Sequence, residues 1–342
     1  MSPVTSPHPL PVLPDRFMAQ IEAAVDAGPA LDAQLAALDP ARFTSVFLVG
    51  CGGSLFTYAP LRCLLDRSPV PVFTFNSDEL VLRQPARLGP GALVIVSSTR
   101  GATRETAEAA RAARAAGASV IGVTQDPDSI VAAACEHVLL HQGVEAKQVI
   151  LAQIGWSLLR ALGAVSEEEL NRATTALRQS PSAFAQAHYE WDDRLAEMAR
   201  RLHAEPVLYV LGSGPLEGAA QTLAMCYLQE MLKLNAAAIS AGEFLHGPFE
   251  VITDEVPVIL LKGDDVTRPM ADRAERFLRQ YTGKLWVLDG AALLLGSVDA
   301  PLRPLVSNLV LGSTVLNRIA EHFAAVTGRR LTDRRYMWKI DY

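Results

Sequence analysis

The 342-residue sequence contains only four cysteines, and no two of them have the C-x-x-C spacing of a metal or redox motif. Neither a zinc site nor a disulfide framework is therefore indicated, and isolated cysteines in a chain of this length favour a reducing, cytoplasmic location. No apolar run reaches the roughly 18 residues that a membrane span requires. The N-terminus has no basic segment followed by an apolar core, so no signal peptide is predicted.

The sequence also lacks an excess of positive charge. Lysine and arginine number 31 against 37 aspartate and glutamate residues, which gives a formal net charge of −6. Proteins that bind the nucleic-acid backbone usually carry a basic surface, so no nucleic-acid partner is expected. A small anionic ligand is still compatible with this charge, because backbone amides and local dipoles can bind phosphate.

What the sequence does contain is a repeated alternation of apolar strands and helices. Strands that are apolar throughout and separated by helices are typical of a parallel sheet covered on both faces. A strand followed by a glycine-rich turn and a helix occurs twice, at residues 45–66 and 206–234. We therefore predict an α/β fold of two similar subdomains in tandem, each with a parallel five-stranded sheet flanked by helices.

The same pattern sets the predicted domain boundaries. The chain divides into an N-terminal segment and helix (1–39), a first subdomain (40–165), connecting helices (166–204), a second subdomain (205–330) and a C-terminal tail (331–342).

Two turns of the first subdomain carry groups that suit a phosphate ester. Residues 52–54 (Gly-Gly-Ser) and 97–103 (Ser-Ser-Thr-Arg-Gly-Ala-Thr) each follow a predicted strand and precede a helix. Ligands of an open parallel sheet bind beyond the C-terminal ends of its strands, so we expect an anion site there. The alternative is that the hydroxyls only cap helices and the glycines only form turns. Neither turn matches a dinucleotide-binding or P-loop motif.

The second subdomain supplies candidate acid–base groups. Glu230 lies late in a long predicted helix, and Glu243 and His246 lie in a short segment after the next strand. A single glutamate or histidine is more often a solvated or structural residue than a catalytic one. His246 differs in context, because the Gly-Pro pair that follows it fixes a turn.

Together these segments resemble the signature loops of SIS-domain phosphosugar proteins, over roughly residues 40–342. Within that family the chain looks closest to the fructosamine-6-phosphate deglycases, and it is also similar to the isomerase domain of glucosamine-6-phosphate synthase. The segments that carry the resemblance are Cys51-Gly-Gly-Ser54, Asn76-Ser-Asp-Glu79, Ser98-Thr-Arg-Gly-Ala-Thr103, Ala241-Gly-Glu-Phe-Leu-His-Gly-Pro-Phe-Glu250 and Arg335-Tyr-Met-Trp-Lys-Ile-Asp-Tyr342.

The resemblance implies roles for particular residues. In the family a catalytic glutamate precedes a catalytic histidine by sixteen positions, and Glu230 and His246 have this spacing. The tail is expected to lie over the active site, where Lys339 resembles a lysine that reaches the sugar in relatives. The phosphate-binding and substrate-binding positions implied in this way are Gly53, Ser54, Ser98, Thr99, Arg100, Thr103 and Lys339.

Two positions depart from the family pattern. Arg100 stands where a serine is common, and it would either contact the phosphate or leave a backbone amide to do so. Tyr227 stands three positions before Glu230, where synthase-type isomerases carry a lysine. The tyrosine disfavours an amino-sugar isomerase.

The activity implied by the resemblance is cleavage of a fructosamine 6-phosphate to an aldose 6-phosphate and a free amine, without metal or other cofactor. An aldose–ketose isomerase and a non-catalytic sugar-phosphate sensor are the alternatives. The resemblance also implies a homodimer in which His246 contributes to the partner's active site. In the tail, Arg334, Arg335 and Lys339 form a basic cluster that would hold a substrate carboxylate, or would simply be solvated.

Overall fold

The computed structural model describes residues 10–341. Within them the chain forms two compact units. The first unit comprises residues 16–181 and 297–302, and the second comprises residues 10–15, 182–296 and 303–341.

The first unit is built on a sheet of five parallel strands in the order β2-β1-β3-β4-β5. Every residue of β1 and β3 is buried, as expected for central strands of a sheet covered on both faces. The strands are β1 (Ser45–Gly50), β2 (Val72–Asn76), β3 (Ala92–Ser97), β4 (Ser119–Thr124) and β5 (His137–Leu140). This sheet confirms the predicted topology of the first half.

The helices of this unit cover both faces of the sheet. They are α1 (Phe17–Asp26), α2 (Gly28–Ala37), α3 (Gly53–Phe56), α4 (Ala59–Leu64), α5 (Ser77–Arg83), α6 (Arg104–Ala115), α7 (Val144–Ala161) and the first part of α8 (Glu167–Glu190). α6 shows how sequence decides the packing, because its alanines at positions 107, 110 and 113 share one buried cluster with valines of β3. Small side chains let this helix approach the sheet closely while its arginines remain outside.

The second unit has a parallel sheet of four strands in the order β7-β6-β8-β9, within the part of the chain that the structure describes. Its strands are β6 (Leu208–Gly212), β7 (Ala236–Ser240), β8 (Val258–Lys262) and β9 (Leu285–Asp289). Its helices are the end of α8, α9 (Asp192–Leu202), α10 (Glu217–Gln221), α11 (Arg268–Tyr281), α12 (Arg303–Val310) and α13 (Leu316–Thr327).

The prediction of five strands in each sheet is therefore wrong for the second half. After β9 the chain turns at Gly290–Ala292 and does not enter another strand. Pro301 and Pro304 then lie in the short helix and α12 that follow. Proline has no N–H to donate to a neighbouring strand, so this stretch is poorly suited to continue the sheet.

The long helix predicted at residues 216–234 also differs in detail. α10 is followed by ten residues of π-helix, Thr222–Met231, and a second π-helical segment, Leu311–Val315, separates α12 from α13. π-Helical segments are rare and are found disproportionately at functional sites. Among the described residues, no helix combines the length and apolar character needed to cross a bilayer.

A buried ion pair joins two helices of the second unit. Arg318 of α13 donates from Nε to Oδ1 of Asp192 at the start of α9, at 2.5 Å, and from Nη1 to Glu321 at 2.7 Å. His322 Nε2 donates to the same Asp192 oxygen at 2.7 Å. The Arg318 side chain is only 6% exposed, so these carboxylates, and not water, compensate its positive charge.

We expect Arg318→Met to destabilise the protein by about 3–5 kcal/mol, because it leaves the partner carboxylates without their cation. The matched control is Arg178→Met. Arg178 pairs with Asp26 at 2.8 Å, but its side chain is 54% exposed, and an exposed pair contributes less than about 1 kcal/mol. Urea unfolding measures the free energy of unfolding of both variants. Equal losses would show that the buried pair of Arg318 contributes no more stability than the exposed pair of Arg178.

Candidate active site

Two loops of the first unit lie side by side because the strands before them are paired. β1 and β3 are neighbours, and Gly50 at the end of β1 is in register with Ser97 at the end of β3. The residues that follow each strand, including Gly53 and Ser54 after β1 and Ser98 after β3, therefore emerge at the same edge of the sheet. The two turns predicted from sequence to bind an anion thus flank one position.

The loop after β3 is held by its own hydroxyls. Ser98 Oγ and Thr103 Oγ1 are 2.9 Å apart, and Ser98 is buried. Thr103 directly precedes α6, yet its side chain makes no capping bond to that helix. Helix capping therefore does not account for this threonine, which favours the ligand-binding interpretation over the capping alternative.

A glycine fixes the shape of the same loop. Gly101 has φ of +68°, and a Cβ at this position would lie 2.0 Å from Ser129 Oγ. Its backbone N–H donates to Ser98 O at 3.0 Å, and its carbonyl accepts from Val131 N at 3.1 Å. Thr99 and Arg100 are exposed, and the Thr99 carbonyl accepts from Gln125 N at 2.9 Å.

A buried lysine contacts the loop after β1. Lys147, in the first turns of α7, is 1% exposed, and its Nζ donates to Ser54 Oγ at 3.1 Å. Burial of a cation is costly unless it is matched by polar or negative groups. Lys147 therefore brings a positive charge to the Ser54 hydroxyl in the loop after β1, as suits an anionic ligand.

His141 shares this environment. It is 2% exposed, and its Nδ1 lies 3.0 Å from the Gly143 carbonyl, to which it donates. Burial, and then the charge of Lys147, lower the pKa of His141 to about 4. The imidazole is thus neutral near neutral pH, and the positive charge at this place belongs to Lys147.

The corresponding edge of the second sheet is different, because it already holds a carboxylate. Asp265 follows β8, and its Oδ1 accepts from the backbone N and the Oγ1 of Thr267 at 2.9 and 2.7 Å. Its Oδ2 accepts from Asn308 Nδ2 at 3.1 Å. A phosphate here would meet a like charge, so this edge of the second sheet is less suited to an anion than that of the first.

Glu230 lies in the π-helical segment of the second unit and is paired with the C-terminal tail. Its Oε1 accepts from Arg334 Nε at 2.9 Å and from Nη2 at 2.7 Å. The Arg334 side chain is 8% exposed and the Glu230 side chain 24% exposed. Glu230 is thus a partly buried carboxylate with one oxygen held by a guanidinium of the tail.

The basic cluster predicted in the tail separates in the structure. Arg334 is directed to Glu230, whereas Arg335 and Lys339 are exposed. The Arg335 guanidinium lies 6.0 Å from the ring of Tyr336. Of these three basic residues, Arg334 is the one that pairs with Glu230.

Tyr227, an uncharged residue three positions before Glu230, has a structural role. Its hydroxyl donates to Asn317 Oδ1 of α13. The tyrosine thus belongs to the packing between the π-helical segment and α13, and it cannot supply the cation of an isomerase-type lysine.

His246 ends the short helix Phe244–His246 and is exposed, with Gly247 at φ of +144° after it. Within residues 10–341 its side chain makes no hydrogen bond or ion pair, and none joins it to Glu230. Glu243 and Glu217 are both exposed, and the pKa of Glu217 is raised, first by partial desolvation and then by the charge of Glu243. In the part of the chain that the structure describes, His246 and Glu230 are therefore not joined by a hydrogen bond or an ion pair.

Comparison with known proteins agrees with this architecture. The SIS domain family matches residues 41–160. The chain is 34% identical to fructosamine deglycase FrlB of Bacillus subtilis strain 168 over 305 residues, which are 87% of this chain and 92% of the relative. The chain belongs to the fructosamine deglycase family. It is thus an SIS-type enzyme, with the α/β architecture expected of one.

Other relatives extend the similarity of this deglycase-family chain. It is 27% identical over 253 residues to fructoselysine 6-phosphate deglycase of Escherichia coli K12, over 73% of this chain and 74% of the relative. A solved structure from Bacillus subtilis superposes with a TM-score of 0.87 at 32% identity, covering 96% of this chain and 100% of that one.

Lys147 and the Arg334–Glu230 contact were not identified from the sequence. Lys147 lies 93 positions from Ser54, and Arg334 lies 104 positions from Glu230. The one available signal for Lys147 was a charged residue among the apolar residues of α7, where burial predicts a special role for a cation.

We expect stability to fall as the pH drops from about 6.5 toward 4, partly through His141. Its pKa is lower in the folded protein than the ordinary value near 6.5, so the unfolded chain binds the proton first. The contribution is present above about pH 6.5 and is lost at up to about 1.4 kcal/mol per pH unit below it.

His141→Gln should flatten this dependence, since glutamine does not titrate. Urea unfolding at several pH values compares the two proteins. Identical slopes between pH 6.5 and 4 would contradict the assignment, whereas above that range the slopes should agree in any case.

Proposed function

We propose that this protein is a deglycase that cleaves a fructosamine 6-phosphate into an aldose 6-phosphate and a free amine. The observation that carries the proposal is its similarity to fructosamine deglycase FrlB over nearly the full length of both chains. The chemistry of the two units supports it, because one supplies an anion site and the other a positioned carboxylate.

In this proposal the first unit binds the phosphate. Ser54, Ser98 and Thr103 donate hydroxyl hydrogen bonds, and Lys147 provides charge through its contact with Ser54. The remaining predicted positions, Gly53, Thr99 and Arg100, would contribute backbone amides or, for the exposed guanidinium, a direct contact. A doubly charged phosphate is the ligand that such a combination favours.

Glu230 would carry the proton transfer. It removes a proton from C1 of the open-chain ketosamine while the C2 oxygen takes up a proton from water, which gives an enolamine. It then returns the first proton to C2 while the nitrogen gives up its proton to water, which gives an aldimine. Water then adds to the aldimine, and the C1–N bond breaks to release the amine and the aldehyde of the aldose 6-phosphate. No electron is exchanged with a cofactor in these steps.

His246 would open the sugar ring by protonating its oxygen. Its exposure and the absence of a bond to Glu230 within residues 10–341 support a homodimer in which His246 serves the partner's active site. Lys339 and the tail would cover the sugar, and the cytoplasm, where sugar phosphates occur, is the proposed location.

The proposed activity predicts that the purified protein releases aldose 6-phosphate from 6-phosphofructosyl amino acids without added metal or nucleotide. Coupling to glucose-6-phosphate dehydrogenase measures this. Glu230→Gln should lower turnover at least about a hundredfold with binding nearly intact. The matched control is Glu190→Gln, at an exposed glutamate of the same unit. Interconversion of glucosamine 6-phosphate and fructose 6-phosphate alone would favour an isomerase, and binding without turnover a sensor.

Replacement of Ser98 and Thr103 by alanine together should raise KM for the phosphorylated substrate far more than it lowers kcat. Each lost hydrogen bond to a charged group is worth about 1.5–3 kcal/mol. Unphosphorylated fructosamine is the internal control, because it lacks the group that these hydroxyls bind. An equal loss for both substrates would place the phosphate elsewhere.

A further inference from the structure

The candidate base is occupied in this structure. Arg334 directs two N–H groups to one oxygen of Glu230, at 2.9 and 2.7 Å. These two N–H groups fill the positions at which that oxygen would accept a proton from a substrate. Glu230 is therefore free to act as a base through this oxygen only when Arg334 is moved away from it.

The tail holds Arg334 in a defined place. Its Nη1 donates to the carbonyls of Leu331 and Asp333 at 2.7 and 3.1 Å. Lys233, which follows the π-helical segment, donates from Nζ to the same Asp333 carbonyl at 2.6 Å. The ring of Trp338 lies 5.3 Å from the guanidinium carbon, within the range of a cation–π contact.

Removal of Arg334 from Glu230 is costly unless another anion replaces the carboxylate. The arginine is 8% exposed, so water compensates little of its charge once the pair is broken. A second carboxylate presented at the same place would keep the charge balance, because the planar guanidinium binds any carboxylate through parallel hydrogen bonds.

We propose that Arg334 is a positioning residue that exchanges Glu230 for the carboxylate of the substrate's amino-acid moiety, and that this exchange releases Glu230 for proton transfer. The inference rests on the proposed function, which supplies a substrate with such a carboxylate. Arg334 then couples recognition of the amino acid to activation of the base. A fructosamine 6-phosphate without a carboxylate binds through its phosphate but leaves Glu230 paired.

Two substrates that differ only in this group test the exchange, namely 6-phosphofructosyl-glycine and 6-phosphofructosyl-methylamine. For the wild-type protein we expect kcat/KM to be at least about tenfold higher with the glycine compound, which corresponds to about 1.4 kcal/mol. In Arg334→Gln the ratio should approach one, and kcat for the methylamine compound should rise above the wild-type value, because Glu230 is no longer paired.

The matched control is Arg329→Gln, an exposed arginine of the same segment, which should keep the wild-type ratio. Arg334→Lys keeps the charge without the planar fork and should give an intermediate ratio. Each ratio is taken on one preparation, so partial loss of folded protein cancels from it.

A wild-type ratio near one would overturn the exchange. So would an Arg334→Gln variant that loses activity on both compounds equally, since Arg334 would then only orient Glu230. Failure of the wild-type protein to cleave either compound would overturn the proposed function and this inference with it, and that result differs from both preceding ones.

Discussion

The in-register pairing of β1 and β3 is the constraint on which the proposed anion site depends. Parallel pairing fixes where each strand ends, and Gly50 opposite Ser97 brings two hydroxyl-bearing turns to one edge of the sheet. The complete burial of both strands agrees with their central position in a sheet that is covered on both faces. The loop of Gly101 and the contact of Lys147 with Ser54 are then details added to a geometry that the backbone has already set.

The two units show how one architecture carries different chemistry. Both sheets place a glycine-rich turn after the first strand, and both have the first strand paired between the second and third strands of their own sheet. In the first unit the turn after the third strand offers hydroxyls, and a buried lysine contacts the turn after the first strand. In the second the equivalent turn holds Asp265 among its own donors. The repeat therefore duplicates the scaffold without duplicating the side chains at its edge, and in the proposed function the second unit contributes an acid–base group instead.

Most of the fold was predictable because buried parallel strands have a strong signature in the sequence. The absence of a fifth strand from the second sheet, among the described residues, was not predictable. The hydrophobic stretch before Pro301 and Pro304 does not by itself show whether it pairs with a neighbouring strand. The residues of the candidate site were likewise only partly predictable from the sequence. Ser54, Ser98 and Thr103 follow strands and could be placed at the sheet edge, whereas the contacts of Lys147 and Arg334 join residues far apart in the chain. His246 remains a prediction, because nothing within one described chain tests a partner's contribution.

The π-helical segment has a consequence for how residues along it can be compared with relatives. In an α-helix, side chains three positions apart share one face, so the spacing between a lysine and a glutamate also fixes their relative direction. A π-helix has a wider turn, so the angle about the helix axis between side chains three positions apart is different. Tyr227 and Glu230 are three positions apart and contact different elements, Asn317 of α13 and Arg334 of the tail. Equal spacing in the sequence therefore does not guarantee equal direction in space. An insertion within Thr222–Met231 would change the direction in which the Glu230 side chain points.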